Sequence, residues 1–261
     1  MKTLGSYQFE QLEGRFHEAQ MLSERAQMRL DGFPDLLKRH GYPSEGQVLE
    51  IGTAQGIRAR IMAELYPNTQ VTAIDRSPDL LNIASHRMNL NFKQADVYEL
   101  PFPDNHFDFV YARLVFMHLH DPISALKNIL RVLKPGGRLL IEDADRDCMF
   151  FEPAPASFKT FWTKVQDGQR KLGGDPNVGR KLTPYFKQLG FSQIQTEVQP
   201  IIGSGPDIEF LVKTLMPSLN IYLDPLDRPD GERAIDDLYN LSQLPEASFS
   251  HFWFVVSGEK Q

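Results

Sequence analysis

The chain has 261 residues, 41% of them hydrophobic and 24% charged, enough for one well-cored α/β domain with helical additions. A net charge of −6 argues against nucleic acid as a substrate, because phosphate contacts need clustered Lys and Arg. The single cysteine, Cys148, rules out an internal disulfide and a cysteine-cluster metal site; no apolar run reaches the roughly 18 residues of a membrane span, and the start, MKTLGSYQFEQLEGRFHEAQ, has no apolar signal core, so the cytoplasm is the expected compartment. Leu12, Phe16, Ala19, Leu22, Ala26 and Leu30 recur at three- and four-residue intervals and predict an amphipathic helix over 8–30. A short helix over 34–40 follows and ends at Gly41. These helices either pad a sheet or cover the mouth of a ligand site.

Gln47 to Ile51 reads as a short buried strand. Gly52 follows at once, then Gly56, then an apolar helical pattern over 57–66. A strand, a glycine turn and a helix N-terminus suit a nucleotide-type ligand: Gly52 permits a tight turn, and Gly56 lets the ligand or the next helix approach. Glu50, at the strand end, would repel a pyrophosphate and attract a cation. The spacing is also wrong for the dinucleotide fingerprint. The form Glu-x-Gly-x-x-x-Gly resembles motif I of the class I S-adenosylmethionine-dependent methyltransferases, (D/E)-x-G-x-G-x-G, with Ala54 at the middle glycine. The resemblance implies a donor loop made of Glu50, Gly52, Thr53, Ala54 and Gly56.

A second strand, Gln70 to Ile74, ends at Asp75, whose carboxylate is placed to accept the ribose hydroxyl protons, with Arg76 beside it; the plainer alternative is a solvated strand-end acid. Ser77-Pro78 opens a helix over 79–89, and Asn91 to Ala95 is a third strand. The resemblance implies that Asp96 bonds the adenine amine and the Val97 amide a ring nitrogen; otherwise Asp96 caps a short helix. Phe107 to Ala112 is the fourth strand, and Asp121-Pro122 starts a helix that runs to about Leu133. The bridge between them, Arg113 to His120, lies where open α/β sheets bind ligands. Arg113 suits the methionyl carboxylate of the donor. His118 is either a general base or a residue that fixes the loop.

Lys134 to Gly137 forms a turn that matches the family's KPGG, before a fifth strand over 138–141. Glu142, Asp143 and Asp145 then fall in an expected loop, either balancing a sulfonium or accepting a proton, or simply solvated. Beyond residue 150 the pattern gives a helix over 157–172 carrying Phe158, Phe161, Trp162 and Val165, a short helix over 184–189, and a strand over 191–198. Helices near 207–222 and 229–243 and a last strand over 249–257 follow. Segments of about 146–186 and 203–245 thus interrupt the core on one face and are expected to form a lid. Phe151, Phe158 and Trp162 are candidate substrate-binding residues in its wall, with core packing as the alternative.

Together these motifs resemble the ubiquinone/menaquinone-type and natural-product small-molecule methyltransferases. The resemblance implies a Rossmann-like, doubly wound seven-stranded sheet of order 3-2-1-4-5-7-6 with one antiparallel strand. It implies a helical cap over 1–45 and a methyltransferase domain over 46–261. It further implies S-adenosylmethionine as donor, S-adenosylhomocysteine as product, and in-line methyl displacement onto an O, N or C atom of a small, partly apolar molecule. That chemistry requires no metal and no stable membrane insertion. Two rivals are a nicotinamide- or flavin-dependent oxidoreductase, opposed by the glycine spacing and Glu50, and a donor-binding module without turnover.

Overall fold

The computed structural model describes residues 5–12, 15–27, 30–84 and 87–261. Residues 13, 14, 28 and 29 of the helix expected over 8–30, and residues 85 and 86 of that expected over 79–89, lie outside them. Strands β1 (Gly46–Ile51), β2 (Thr69–Asp75), β3 (Leu90–Gln94), β4 (Phe107–Arg113), β5 (Leu133–Glu152), β6 (Ser192–Ser204) and β7 (Ser248–Glu259) form one sheet of order β3-β2-β1-β4-β5-β7-β6. The first five run parallel, and β7 pairs antiparallel with both β5 and β6. The expected sheet order is therefore the observed one.

Residue alternation explains the apolar run Phe109 to Ala112 of β4, and the register shift between Phe107 and Phe109 turns Phe107 to the opposite face from Phe109. Phe107, Val110 and Ala112 join one core cluster, and Phe109 and Tyr111 join the cluster on the other face. Both faces of a parallel sheet are covered, so neither parity can be polar. On the first face α5 (Pro122–Val132) supplies Ala125, Leu126, Ile129 and Val132, and α7 (Leu182–Gln188) supplies Leu182 and Phe186. On the second, α2 (Phe33–Arg39) supplies Phe33, Leu36 and Leu37, and α3 (Ile57–Leu65) supplies Ala59 and Met62. Each fully buried Leu or Phe among these contributes about 1.5–3 kcal/mol. The start of α5 follows the sequence reading: Asp121 accepts the Ser124 amide at 3.0 Å, and Pro122 occupies the first helical turn.

Three expectations needed correction. Helix α4 covers only Pro78–Leu81, because of its four residues Leu80 alone is buried, while Ile83 beyond it is 55% exposed and offers no apolar face to continue the helix. Helix α1 (Arg15–Gln27) keeps Ala19 and Leu22 of the expected face inward, but Phe16 is 81% exposed and Glu18 and Met21 are buried instead. Burial of Glu18 is tolerated because Arg25 and Tyr7 donate to it at 2.6 and 3.0 Å. Third, β5 does not end at residue 141. It runs on to Glu152 because β7 keeps pairing with it, from Arg138 opposite Glu259 to Glu152 opposite Ser248.

That extension is interrupted once. Ala144 pairs with Trp253 and Met149 with His251, so Asp145 to Cys148 all lie opposite Phe252. Beyond this bulge, Met149, Phe151 and Phe249 join a separate cluster with α6 (Ala156–Lys171), α8 (Gly205–Thr214), a 3-10 turn over Pro217–Tyr222 and α9 (Arg228–Ser242). Among the described residues no helix is long and apolar enough to cross a membrane.

Candidate active site

The carboxyl ends of β1, β2 and β4 open into a cavity of about 340 Å³. Three layers wall it: the strand-end loops, the N-terminal segment with Tyr7, Phe9, Glu18 and Arg25, and the far cluster with Trp162, Leu211, Leu219 and Tyr222. Residues from all parts of the chain therefore meet in one space at the sheet's ligand-binding edge.

The loop after β1 is held from beneath. The amides of Gly52 and Thr53 donate to the Ile74 carbonyl at 2.8 and 3.0 Å, and the Ala54 amide donates to Asp75 Oδ2 at 2.8 Å. Ala54 adopts φ +50°, a left-handed conformation that a non-glycine residue occupies at a cost of about 1–2 kcal/mol. Gly52 and Gly56 have φ +70° and +74°. A side chain on Gly52 would collide with Val115, and one on Gly56 with the ring of Phe92. The close approach that requires Gly56 is thus made by Phe92, neither ligand nor helix. Gly56 itself lies outside the cavity wall.

Glu50 is buried beneath the loop and accepts the Thr53 hydroxyl; burial pushes its carboxyl up to about 7 against the opposing pull of that bond and of Arg58. Asp75 also has its pKa raised by burial, opposed by the amides of Ser77 and Ala54. Its Oδ1 accepts the Ser77 amide at 2.9 Å. Glu50, Gly52, Thr53, Ala54, Asp75, Arg76, Val97 and Arg113 all line the cavity. Asp96 does not: its carboxylate caps the 3-10 turn Val97–Glu99 by accepting the Tyr98 amide at 3.0 Å, and it sits 3.9 Å from Arg76 Nε. The guanidinium of Arg113 lies over the Trp253 ring, 4.6 Å from its centroid.

His118 lines the cavity from the loop after β4. Its Nδ1 lies 3.1 Å from Ser6 Oγ and 3.3 Å from the Tyr222 hydroxyl, and its ring meets that of Tyr7 at 5.3 Å. Burial, with the positive charges of Arg146 and Arg25, pushes its pKa down to about 3. The imidazole is therefore neutral at physiological pH and better suited to hydrogen bonding than to proton uptake.

The acids expected in a loop past the fifth strand are inside β5, and none lines the cavity. Glu142 accepts the Tyr111 hydroxyl. Asp143 accepts the Ala144 and Met117 amides at 2.9 and 3.2 Å, and burial pushes its pKa up to about 7. Burial alone would raise Asp145 too, but donation from Arg180 and from Asn177 at 2.9 Å outweighs it and lowers the pKa. These carboxylates pin the bulge and the loop above β4. Of the three aromatic candidates, only Trp162 reaches the cavity. Phe151 and Phe158 pack against each other at 4.7 Å inside the far cluster.

Sequence reasoning missed Arg146, His251 and Tyr222, all in the wall. Tyr222 and His251 reach it only through the folding of the insertions and the antiparallel β7. For Arg146 the signal was a lone arginine inside the acidic run DADRD.

A doubly wound sheet in this order, with an acid at the ends of β1 and β2 and a left-handed loop between them, is the arrangement that the resemblance to the class I S-adenosylmethionine-dependent methyltransferases implies. Residues 49–141 match the family described as the methyltransferase domain. It is 34% identical over 164 residues to methyltransferase str2 of Strobilurus tenacellus, covering 59% of this chain and 58% of that protein. It is 38% identical over 109 residues to the ubiquinone/menaquinone biosynthesis C-methyltransferase UbiE of Pseudomonas putida, covering 39% of this chain and 43% of that one. The chain spans about half the length of the curated relatives it matches. Phosphoethanolamine N-methyltransferase 2 of Haemonchus contortus, solved with S-adenosyl-L-methionine, shares the fold at a TM-score of 0.58 and 22% identity, over 88% of this chain and 52% of that one.

Proposed function

We propose that the chain binds S-adenosylmethionine and moves its methyl group, by in-line displacement, to an O, N or C atom of a small, partly apolar molecule. The observation that carries this reading is the cavity of about 340 Å³, walled on one side by the strand-end loops and on the other by apolar residues of the insertions. On this reading Asp75 holds the ribose and the Val97 amide faces the adenine. Glu50 and Thr53 stiffen the loop of Gly52 and Ala54, and Arg76 and Arg113 lie near the negative groups of the donor. Asp75 offers ribose acceptors, while Glu50 at the end of β1 and the glycine spacing weigh against the pyrophosphate of a nicotinamide or flavin cofactor.

Bound there, S-adenosylmethionine supplies a methyl already activated as a sulfonium. The chain's own residues then have to orient the acceptor and exclude water. His118 orients an acceptor group in its neutral form, Trp162 contributes an apolar wall, and residues 1–45 act as a helical cap on the domain of 46–261, with 146–186 and 203–245 as its lid. The net charge of −6 supports a small-molecule acceptor over nucleic acid.

The test is incubation of the protein with methyl-labelled S-adenosylmethionine and a small-molecule extract of the source cells. Label recovered in a low-molecular-weight product supports the reading. Binding of S-adenosylhomocysteine without any transfer would favour the donor-binding module, and calorimetric binding of NADH in its place would favour the oxidoreductase.

A further inference from the structure

Arg146 is the member of the cavity wall that the reading above leaves without a task. It is only 6% exposed, and its Nη1 meets no hydrogen-bond partner among the described residues. No carboxylate lies within salt-bridge distance of it there, whereas Arg25 in the same cavity is neutralised by Glu18 at 2.6 Å. The Asp143 carboxylate acts on it only from beyond contact distance. A buried cation with no contacting counter-ion is disfavoured, so an anion entering beside it is favoured.

The position is built. Arg146 leaves the β5 ladder at the bulge opposite Phe252, and bulges re-aim side chains in this way. Its amide donates to the Pro176 carbonyl at 3.0 Å, and its own carbonyl accepts Trp162 Nε1 at 2.7 Å. Its guanidinium lies over the rings of Trp162 and Tyr222, 5.5 and 5.3 Å from their centroids. Two aromatic faces hold a planar cation in one orientation without using its N–H donors.

His251 provides a second donor. An indole only donates, so the 3.0 Å contact from Trp253 Nε1 makes His251 Nδ1 the acceptor and leaves the neutral ring's proton on Nε2. The Asp145 carbonyl near this ring favours a proton on it, yet no acceptor closes a hydrogen bond with Nε2 among the described residues. Burial, with Arg146 adding to it, pushes the ring down to about 4, so it donates as a neutral imidazole.

We propose that Arg146, with His251 Nε2–H near it, binds a carboxylate of the methyl acceptor, which makes the acceptor an amphipathic organic acid; this rests on the methyltransferase reading. One positive charge, already felt in part by Asp143, matches a monoanion better than a phosphate dianion. Ile201, Leu215, Leu219 and Phe249, which line the same cavity, accommodate an apolar body attached to it. Arg146 lies five residues beyond Ile141, the β5 residue level with the end of β1, and over two rings of the insertions, so its charge fixes the acceptor.

The test uses protein saturated with S-adenosylhomocysteine and a panel of aryl and branched alkyl carboxylic acids, 2-naphthoate among them, each paired with its neutral amide. Binding is read by Trp fluorescence and calorimetry in the wild type, Arg146→Gln and Arg146→Lys. The expected result is a carboxylate bound at least roughly tenfold more tightly than its amide, a preference lost in Arg146→Gln and partly kept in Arg146→Lys. A wild type that prefers no acid over its amide overturns the proposal without reference to any variant. So does a preference that survives Arg146→Gln. If Arg146→Gln instead weakens S-adenosylhomocysteine, Arg146 serves the donor and the acceptor subsite is wrong. Failure of the wild type to bind S-adenosylhomocysteine would sink the methyltransferase reading itself, a separate outcome.

Discussion

The amide of Ala54 donates to Asp75 Oδ2 at 2.8 Å, so the loop after β1 is fastened to the end of β2. One carboxylate thereby sets the position of the loop and lines the cavity. It also explains how alanine holds a left-handed φ of +50° at a position where glycine is usual: the bond offsets the backbone strain.

Replacing Asp75 with Ala removes the acceptor for both the Ala54 and Ser77 amides. Affinity for S-adenosylhomocysteine should fall at least roughly tenfold, as expected for losing a charge-assisted contact. Asp75→Asn, which keeps the shape, should fall less. Calorimetry reads both, and an unchanged affinity in Asp75→Ala would take this residue out of the donor site.

Gly52 has φ +70°, and a side chain there would meet Val115. Gly52→Ala should therefore destabilise the protein by about 1–3 kcal/mol in urea unfolding. Adding Val115→Ala should recover the steric part and leave the backbone part. No recovery in the double variant, with donor binding abolished in both, would mean that the added carbon meets the ligand instead.

The aromatic candidates should separate by what they do. Phe158 packs in the far cluster, so Phe158→Leu should lower stability by about 1–2 kcal/mol and leave the acceptor KM unchanged. Trp162 lies in the wall beneath Arg146, so Trp162→Phe should raise that KM while donor affinity stays the same. A KM shift from Phe158→Leu as large as that from Trp162→Phe would show that the two residues share one surface.

The pH dependence of stability reports on His118. Its pKa is about 3 in the folded protein and near 6.5 in an unfolded chain, so only the unfolded state takes up a proton between these values. Stability is fully present above about pH 6.5 and falls as the pH drops toward 3. Part of the ring faces the cavity, which tempers the effect. His118→Gln removes this term, so the stability gap between wild type and variant should narrow by about 1–2 kcal/mol from pH 7 to pH 5. A gap independent of pH would show that the folded protein protonates His118 as readily as the unfolded chain.

Local signals made the parallel half of the fold readable. The buried runs of β1 and β4, the glycines at 52 and 56 and the Asp121-Pro122 helix start each depend on neighbours in sequence. Asp75, Arg113 and His118 could be placed in the cavity because strand ends and the loops after them face it by topology. The acids at 142, 143 and 145 were misplaced because their strand continues only through pairing with β7, more than a hundred residues away. For the same reason the bulge, and with it Arg146, could not be seen. Met149, Phe150 and Phe151 form a continuous apolar run in sequence, so the alternation of buried and exposed residues that marks the strand shows only once the sheet is formed. Phe16 misled because helical spacing gives a face but does not say whether a buried ion pair will claim it.

The bulge at Asp145 to Cys148 divides β5 into two stretches that serve different neighbours. Before it, Leu139, Leu140 and Ile141 pack with the parallel strands and the helices on either face; after it, Met149 and Phe151 pack only with the far cluster. One strand thus carries two independent interiors joined at a seam. Substitutions on the far side can accumulate through drift without disturbing the loops after β1 and β2, so a lineage can exchange one acceptor for another while its donor chemistry stays inherited.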